Sequence, residues 1–210
     1  MDTLTLTRPD DWHLPMFLGT LYLMNGDHAK AVEAHLRALK LAQKPADQAE
    51  IQGELGMAYY NLGDYAKAEK AYLAVLAATP NDLAALNNLA YLYVENLKQA
   101  DKALPHAERA VKNRPGDGNV LDTYGWTLAN LGQTDKAEQA LLQAVQAGPP
   151  SAEFRYHLGW VYERLGRPED ALRHYENGLT LAPKDQPVYQ KLKTAVDQLR
   201  ARQAPGGEKK

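Results

Sequence analysis

Residues 158–183 read LGWVYERLGRPEDALRHYENGLTLAP, and this spacing of small, aromatic and proline residues recurs along the chain. Residues 55–80 (LGMAYYNLGDYAKAEKAYLAVLAATP) and 124–149 (YGWTLANLGQTDKAEQALLQAVQAGP) place similar residues at the same offsets from a glycine. Gly125 and Gly159, the marker glycines of the last two stretches, are 34 positions apart. A self-similar period of this length is typical of stacked helix pairs, because one pair alone cannot bury its apolar face.

A small residue marks the first helix of five successive repeats, at Gly19, Gly56, Ala90, Gly125 and Gly159. The intervals between these markers are 37, 34, 35 and 34 residues. The first interval has extra residues around Ala46 to Gln48. The third has one extra residue between Val94 and Ala103, where the turn glycine of the other repeats is also missing. We expect a local change of curvature at both places.

Turn signals divide the chain into helices. Glycines near the middle of the repeats (Gly26, Gly63, Gly132 and Gly166) indicate the turns within helix pairs, and prolines near capping residues indicate the breaks between pairs. The pattern predicts an all-α fold, a right-handed α-solenoid of five antiparallel helix pairs with a C-terminal capping helix. The predicted boundaries are an N-terminal arm at 1–11, repeats at 12–45, 49–82, 83–117, 118–151 and 152–185, a capping helix at 186–203 and a disordered tail at 204–210.

Composition narrows the function classes. The chain has 24 Lys and Arg against 26 Asp and Glu, so the basic surface of a general nucleic-acid-binding protein is missing. Cysteine is absent, which excludes disulfides, cysteine nucleophiles and thiolate metal sites but leaves the cellular compartment open. The N-terminal residues carry no apolar run of a signal peptide, and no stretch is apolar for the length of a membrane span. We therefore expect a soluble protein with no direct membrane insertion.

The repeated pattern resembles the tetratricopeptide repeat family over about residues 12 to 185, most closely in the second, fourth and fifth repeats. The first repeat departs from the family pattern at Pro15 and at His35, which stands in an aromatic position. The third departs at Ala90 and Ala107. The stretch around Asn87 and Asp122 also resembles bacterial repeat proteins of the cell envelope. The resemblance implies a non-catalytic scaffold for protein partners.

In such an array the first helices line the concave side, and a rotation of about 100° per residue identifies the exposed stripe. The residues that follow the small markers include Tyr91, Trp126 and Trp160, so an aromatic row is predicted. Rings and amides of this kind suit an extended peptide. The predicted partner-binding residues on the concave face are Tyr60, Asn61, Asn87, Tyr91, Glu95, Asp122, Trp126, Asn130, Tyr156, Trp160 and Arg164.

Two alternatives remain open for these residues and for the chain. The aromatic row could instead fill space between adjacent first helices, because large buried rings are common at helix contacts. The whole protein could be an assembly protein that associates with its own copies through the ends of the solenoid. Acidic residues outnumber Arg164 on the inner surface, so the favoured partner is a neutral or basic extended segment bound by a monomer.

No catalytic or metal-binding constellation stands out in the sequence. The six histidines lack the spacing of a zinc helix motif, and no phosphate-binding loop or nucleophile elbow is present. Glu153 and His157 are one helical turn apart, which predicts an ordinary surface pair. His35 is expected to have a structural role. We therefore predict a protein without enzymatic activity, cofactor or metal.

Overall fold

The structure is a computed structural model that describes residues 11–203. The predicted arm and tail at residues 1–10 and 204–210 lie outside the described residues. Within the described range the chain is helical throughout and contains no strand, so the predicted all-α class is confirmed. The helices are α1 His13–Met24, α2 His28–Leu41, α3 Pro45–Leu62, α4 Tyr65–Ala78, α5 Leu83–Tyr91, α6 Ala100–Asn113, α7 Gly118–Asn130, α8 Thr134–Ala147, α9 Ala152–Arg164, α10 Pro168–Leu181 and α11 Pro187–Gln203.

The chain divides into two compact units, and the boundary lies between Lys98 and Gln99. In the first unit α1 packs on α2, α2 on α3, α3 on α4 and α4 on α5. The second unit repeats this order from α6 to α11. Within each unit, consecutive helices therefore stack as the helix pairs of an α-solenoid do. The boundary falls inside the third predicted repeat, between its two helices.

Side-chain caps begin several helices where the sequence has a candidate capping residue. The Asp82 carboxylate accepts a hydrogen bond from the backbone N–H of Ala85 at 2.8 Å, and Ser151 Oγ accepts one from Phe154 N–H at 3.3 Å. Asp117 caps the first turn of α7 in the same way. Each cap satisfies a backbone donor that the helix itself leaves unpaired, so these breaks between helix pairs are fixed locally.

Three marker glycines allow a ring from the second helix of the pair to lie directly on the first. His35 lies over Gly19, Tyr72 over Gly56 and Tyr175 over Gly159. A Cβ at any of these glycines would lie within 3 Å of the facing ring. The rings are nearly or completely buried. The small residue and the ring sixteen positions later therefore form one packing unit, which explains why the two recur together.

The two irregular intervals are accommodated differently. The extra residues near Ala46 lengthen α3, which begins at Pro45 and is 18 residues long. The single extra residue after Ala90 is taken up by a π-helical turn, Leu92–Asn96, that continues α5. In it the N–H of Leu97 donates to the carbonyl of Leu92, five residues back, at 3.0 Å. One inserted residue therefore widens a helical turn without ending the helix.

Lys98, which follows this segment, has a left-handed backbone conformation with φ 55°. At four other turns a glycine adopts this conformation, with φ between 69° and 82°. A residue with a Cβ is strained in this region. We expect Lys98→Gly to raise the free energy of unfolding by about 1 kcal/mol. The exposed Lys98 ion pair to Glu95 at 3.9 Å contributes little, so its loss offsets only a small part of this gain. Urea unfolding of the purified chain measures the difference.

Lys98→Ala is the control for this prediction, because it removes the ion pair but keeps a Cβ at the strained position. Its stability should be equal to or slightly below that of the native chain. If the glycine variant is no more stable than the alanine variant, backbone strain at residue 98 is not the reason.

The C-terminal helix α11 packs on α9 and α10 with one face. The buried residues on that face are Val188, Leu192, Val196 and Leu199, as their spacing predicts. The other face is charged, and Arg200 forms an ion pair with Glu176 at 2.7 Å. A polar outer face of this kind ends a helical stack. In the described part of the chain, no helix is both long and apolar enough to span a membrane.

Candidate functional site

The first unit contains an open cavity of about 400 Å³ between α3, α4 and α5. Residues of α3 recur on the cavity side every three or four positions, which places them on one face of the helix. Tyr72 and Val75 of α4 and Asn88 of α5 line the same cavity. The α3 residues are Ala46, Ala49, Glu50, Gly53, Glu54 and Met57.

A second cavity of about 200 Å³ adjoins the first. Its walls are aromatic, because Tyr60 of α3 and Tyr91 of α5 both line it. The two rings lie 6.3 Å apart between centroids, at a tilted angle. Met57, Tyr72 and Asn88 line both cavities, so the two are continuous. We call the combined surface the α3–α5 groove.

The two ends of the α3–α5 groove differ in character. Glu50, Glu54 and Asp82 line the larger cavity, and none of the described residues that line it is Lys or Arg. Partial burial raises the pKa of Glu54, and the nearby charge of Glu50 raises it further. The pKa is raised because both effects disfavour the ionised carboxylate. One end is therefore acidic and the other is aromatic.

Five predicted site residues belong to the first unit, and the structure brings three of them together. Tyr60, Asn61 and Tyr91 line the aromatic end of the groove. Asn87 lies outside the lining, and its side-chain oxygen is buried without a hydrogen-bond partner. Glu95 lies in the π-helical turn beside Lys98, also away from the groove lining.

Two predicted site residues of the second unit, Asp122 and Trp126, are buried. Their exposed fractions are 4% and 6%. The Trp126 indole stacks on His157, with 4.2 Å between ring centroids and an interplanar angle of 12°, and it meets Trp160 edge-on at 5.0 Å. The prediction that these two side chains lie on an exposed stripe is therefore wrong. Trp126 fills the space between α7 and α9, which is the packing alternative.

His157 joins this cluster through an interaction that the sequence did not reveal. Its Nδ1 lies 2.9 and 3.0 Å from the two carboxylate oxygens of Asp122, and His157 is 2% exposed. Both carboxylate oxygens accept, so the ring Nδ1–H is the donor. The predicted surface pair of Glu153 and His157 is wrong, because the ring points into the α7–α9 contact. At that burial, a substrate cannot reach the Asp122–His157 pair.

The other predicted residues of the second unit lie nearer the surface. Asn130 and Arg164 are exposed, and Tyr156 and Trp160 are half-buried. Both rings already carry a cation. The Arg164 guanidinium lies 3.4 Å from the Trp160 ring centroid, and Lys191 Nζ lies 5.6 Å from that of Tyr156. Such contacts stabilise the rings in place. In the first unit, Tyr60 and Tyr91 line an open cavity.

Glu54 and Tyr72 are groove residues that the sequence reasoning did not select. Tyr72 belongs to the repeat pattern, which predicts a packing ring at this position. Glu54 lies one residue before Leu55 and is four positions from Glu50. This i, i+4 spacing places the two carboxylates on one face of the helix, and it is the feature of the sequence that could have identified the acidic end of the groove. Within residues 11–203, no three side chains of His, Asp or Glu come together as a metal site.

Comparison with known families identifies the class of the protein. A family model for the tetratricopeptide repeat matches residues 54–118 and 125–185, which together are more than half of the chain. The chain therefore belongs to the tetratricopeptide repeat family. This family is in general a protein-interaction module. A search of curated proteins finds no match to the chain.

Solved structures of similar fold support this assignment. A thermophilic tetratricopeptide repeat protein of Thermus thermophilus has 27% identity and a TM-score of 0.71, with 89% of this chain and 99% of that chain covered. MamA of Desulfovibrio magneticus has 24% identity and a TM-score of 0.68, with 81% and 94% covered. YrrB, described as a repeat protein with an unusual peptide-binding site, has 22% identity and a TM-score of 0.64, with 91% and 96% covered.

Proposed function

We propose that this protein is a non-catalytic scaffold that binds an extended peptide segment of a partner protein, and that the α3–α5 groove of the first unit is its main binding surface. The groove itself is the observation that supports the proposal. Its aromatic end is lined by Tyr60, Asn61 and Tyr91, three of the residues that the sequence pattern selects. YrrB, which shares the fold, has a peptide-binding site, so the fold is compatible with this role.

The shape of the groove suits an extended chain. Its lining residues on α3 run from Ala46 to Asn61, a length of about 22 Å at 1.5 Å per helical residue. An extended peptide advances about 3.3 Å per residue, so six or seven residues span the groove. Asn61 and Asn88 carry amides that donate and accept hydrogen bonds, as a peptide backbone requires. In the second unit, Asn130, Tyr156, Trp160 and Arg164 are further candidate contacts.

Selection of random twelve-residue peptides displayed on phage against the full chain tests this function. Selected peptides are then synthesised and titrated by fluorescence anisotropy. Tyr60→Ala and Tyr91→Ala are each expected to weaken binding about tenfold or more, because each removes an aromatic wall. Urea unfolding of each variant shows whether the fold is kept.

Leu73→Ala is a matched control, because Leu73 is an exposed apolar residue of α4 outside the groove lining. It should leave peptide binding unchanged. Equal binding by the native chain and both tyrosine variants would place the binding surface elsewhere. A selection that enriches no peptide would contradict the proposed function.

A second candidate function is self-association through α1. Three large apolar side chains of this helix are exposed, at positions i, i+4 and i+7: Phe17 (60%), Leu21 (44%) and Met24 (81%). The helix contains no Asp, Glu, Lys or Arg. A helix that is apolar on all sides is usually covered, and exposed patches of this kind mark interaction sites. The charged outer face of α11 gives the C-terminal end no such feature.

Sedimentation over a range of protein concentrations separates the two candidates. An assembly protein should form dimers or larger species that dissociate in a Phe17→Glu, Met24→Glu variant. A peptide-binding scaffold should remain monomeric, and the same variant should leave its peptide binding unchanged.

A further inference from the structure

Resting on the proposed peptide-binding function, we infer that the α3–α5 groove selects a segment in which a lysine or arginine lies two or four residues from a large apolar residue. The basic side chain enters the acidic end between Glu50, Glu54 and Asp82. The apolar side chain enters the aromatic end, the smaller cavity that Tyr60 and Tyr91 line. The sign of the charge and the distance between the two ends define the motif.

Charge supports the assignment of the acidic end. Three carboxylates line the larger cavity, and no Lys or Arg does so among the described residues. A cation that binds between Glu50 and Glu54 relieves their mutual repulsion, whereas an anionic side chain would add to it. Glu54 is half-buried, so its contact with a ligand cation is less screened by solvent than an exposed ion pair. The acidic end therefore discriminates by charge.

The aromatic end supports an apolar neighbour. Met57, Tyr60, Tyr72 and Tyr91 line the smaller cavity, and its volume of about 200 Å³ suits one large side chain rather than several. Aromatic rings contribute large contact areas with little loss of side-chain freedom. Asn88 lines both cavities, so its amide lies where the backbone between the two ligand side chains would pass.

The separation of the two ends sets the spacing of the motif. Glu54 and Tyr60 are six residues apart on α3, which corresponds to about 9 Å along the helix axis. An extended peptide covers this length in about three residues. Side chains two residues apart in an extended chain point to the same side, and those four apart do so again. Because these two separations bracket the length of about 9 Å, a spacing of two or four residues follows.

Gly53 lines the larger cavity and leaves room there for a Cβ. A Cβ at this position would have only Val75 Cγ2 near it, at 4.0 Å, so alanine fits without a clash. Alanine also favours a helix interior over glycine. Gly53→Ala is therefore expected to raise the melting temperature by a few degrees while it narrows the cavity. Binding and stability should then change in opposite directions, which separates loss of the site from loss of the fold.

The peptides selected on phage also test this inference. The enriched sequences should carry Lys or Arg two or four positions from a large apolar residue. Replacement of that basic residue by Gln, and the Glu50→Gln, Glu54→Gln double variant, should each weaken binding about tenfold. Binding of the native chain should weaken with added salt. Gly53→Ala should weaken binding at least threefold, in spite of its higher melting temperature.

Glu33→Gln is the charge-matched control, because Glu33 is exposed on α2 and outside both cavities. It should bind as the native chain does. Selected peptides without a basic residue, or a double glutamine variant within twofold of the native affinity, would overturn the inference. If Tyr60→Ala and Tyr91→Ala still abolish binding in that case, the proposed function stands without the motif. If the tyrosine variants bind normally, the proposed function and the motif are both overturned.

Discussion

Trp126→Ala is expected to lower the free energy of unfolding by about 3–5 kcal/mol, the range for the loss of a buried aromatic side chain. The indole is 6% exposed and stacks on His157, and it also meets the edge of Trp160. Its removal leaves a cavity between α7 and α9 and exposes one face of the Asp122–His157 pair. Urea unfolding followed by circular dichroism measures the change.

Trp160→Ala and Trp126→Phe complete this test. Trp160 is only half-buried and Arg164 covers one of its faces, so its truncation should have less than half the effect of Trp126→Ala. Trp126→Phe keeps a ring against His157 and should lower the free energy of unfolding by about 1–2 kcal/mol. If Trp126→Ala is within about 1 kcal/mol of the native chain, the tryptophan does not act as a packing residue.

Acidification is expected to destabilise the first unit through His35. This side chain is completely buried, and neither ring nitrogen has a hydrogen-bond partner. Burial lowers the pKa of His35 to about 4. The unfolded chain binds the proton near pH 6.5, whereas the folded chain does not bind it until about pH 4, so stability falls as the pH decreases between these values. This loss in the free energy of unfolding is complete below pH 4 and amounts to about 3 kcal/mol.

His35→Phe isolates this contribution. Tyr72 and Tyr175 occupy the equivalent positions over Gly56 and Gly159, so an aromatic ring fits the slot. The variant should be more stable than the native chain by about 1–2 kcal/mol at pH 7, because two unsatisfied buried nitrogens are removed. Between pH 7 and pH 5 its free energy of unfolding should fall by about 2 kcal/mol less than that of the native chain.

His174 has to be considered in the same experiment. Burial, and after it the nearby charges of Arg155 and Arg173, lower the pKa of His174 to about 4. Protonation of His174 therefore also lowers the stability of the folded state as the pH decreases, and it does so equally in the native chain and in His35→Phe. Parallel pH profiles for the native chain and His35→Phe would contradict the assignment of the effect to residue 35.

Local signals in the sequence predicted the helices well, because each depends on neighbours along the chain. Glycine turns and capping residues such as Asp82 and Ser151 satisfy backbone requirements within three or four residues. The pairing of Gly56 with Tyr72 also follows from a fixed offset. The extra residue of the third repeat was visible as a longer interval, but its form was not. Only the backbone hydrogen bonds show that it widens a turn between Leu92 and Asn96.

The candidate site was only partly predictable. The rule of about 100° per residue selected Asn61 and Tyr91, and both line the α3–α5 groove together with Tyr60, because α3 and α5 border it. The same rule failed for Trp126, because exposure depends on what the next helix brings to that face. There it brings His157, which stacks on the indole and pairs with Asp122. Equal offsets in the sequence therefore gave an open groove in one unit and a buried cluster in the other.

The sequence by itself determined the class of fold, the positions of the helices and membership of a repeat family, because these depend on periodic spacing and on short-range backbone chemistry. The tertiary structure alone decided which aromatic residues are buried and which line a groove, and it brought Glu50, Glu54 and Asn88 to one cavity. The physical reason is that burial is a property of the space between helices. That space depends on side chains about 35 residues away, whose size and polarity the repeat pattern leaves free to vary.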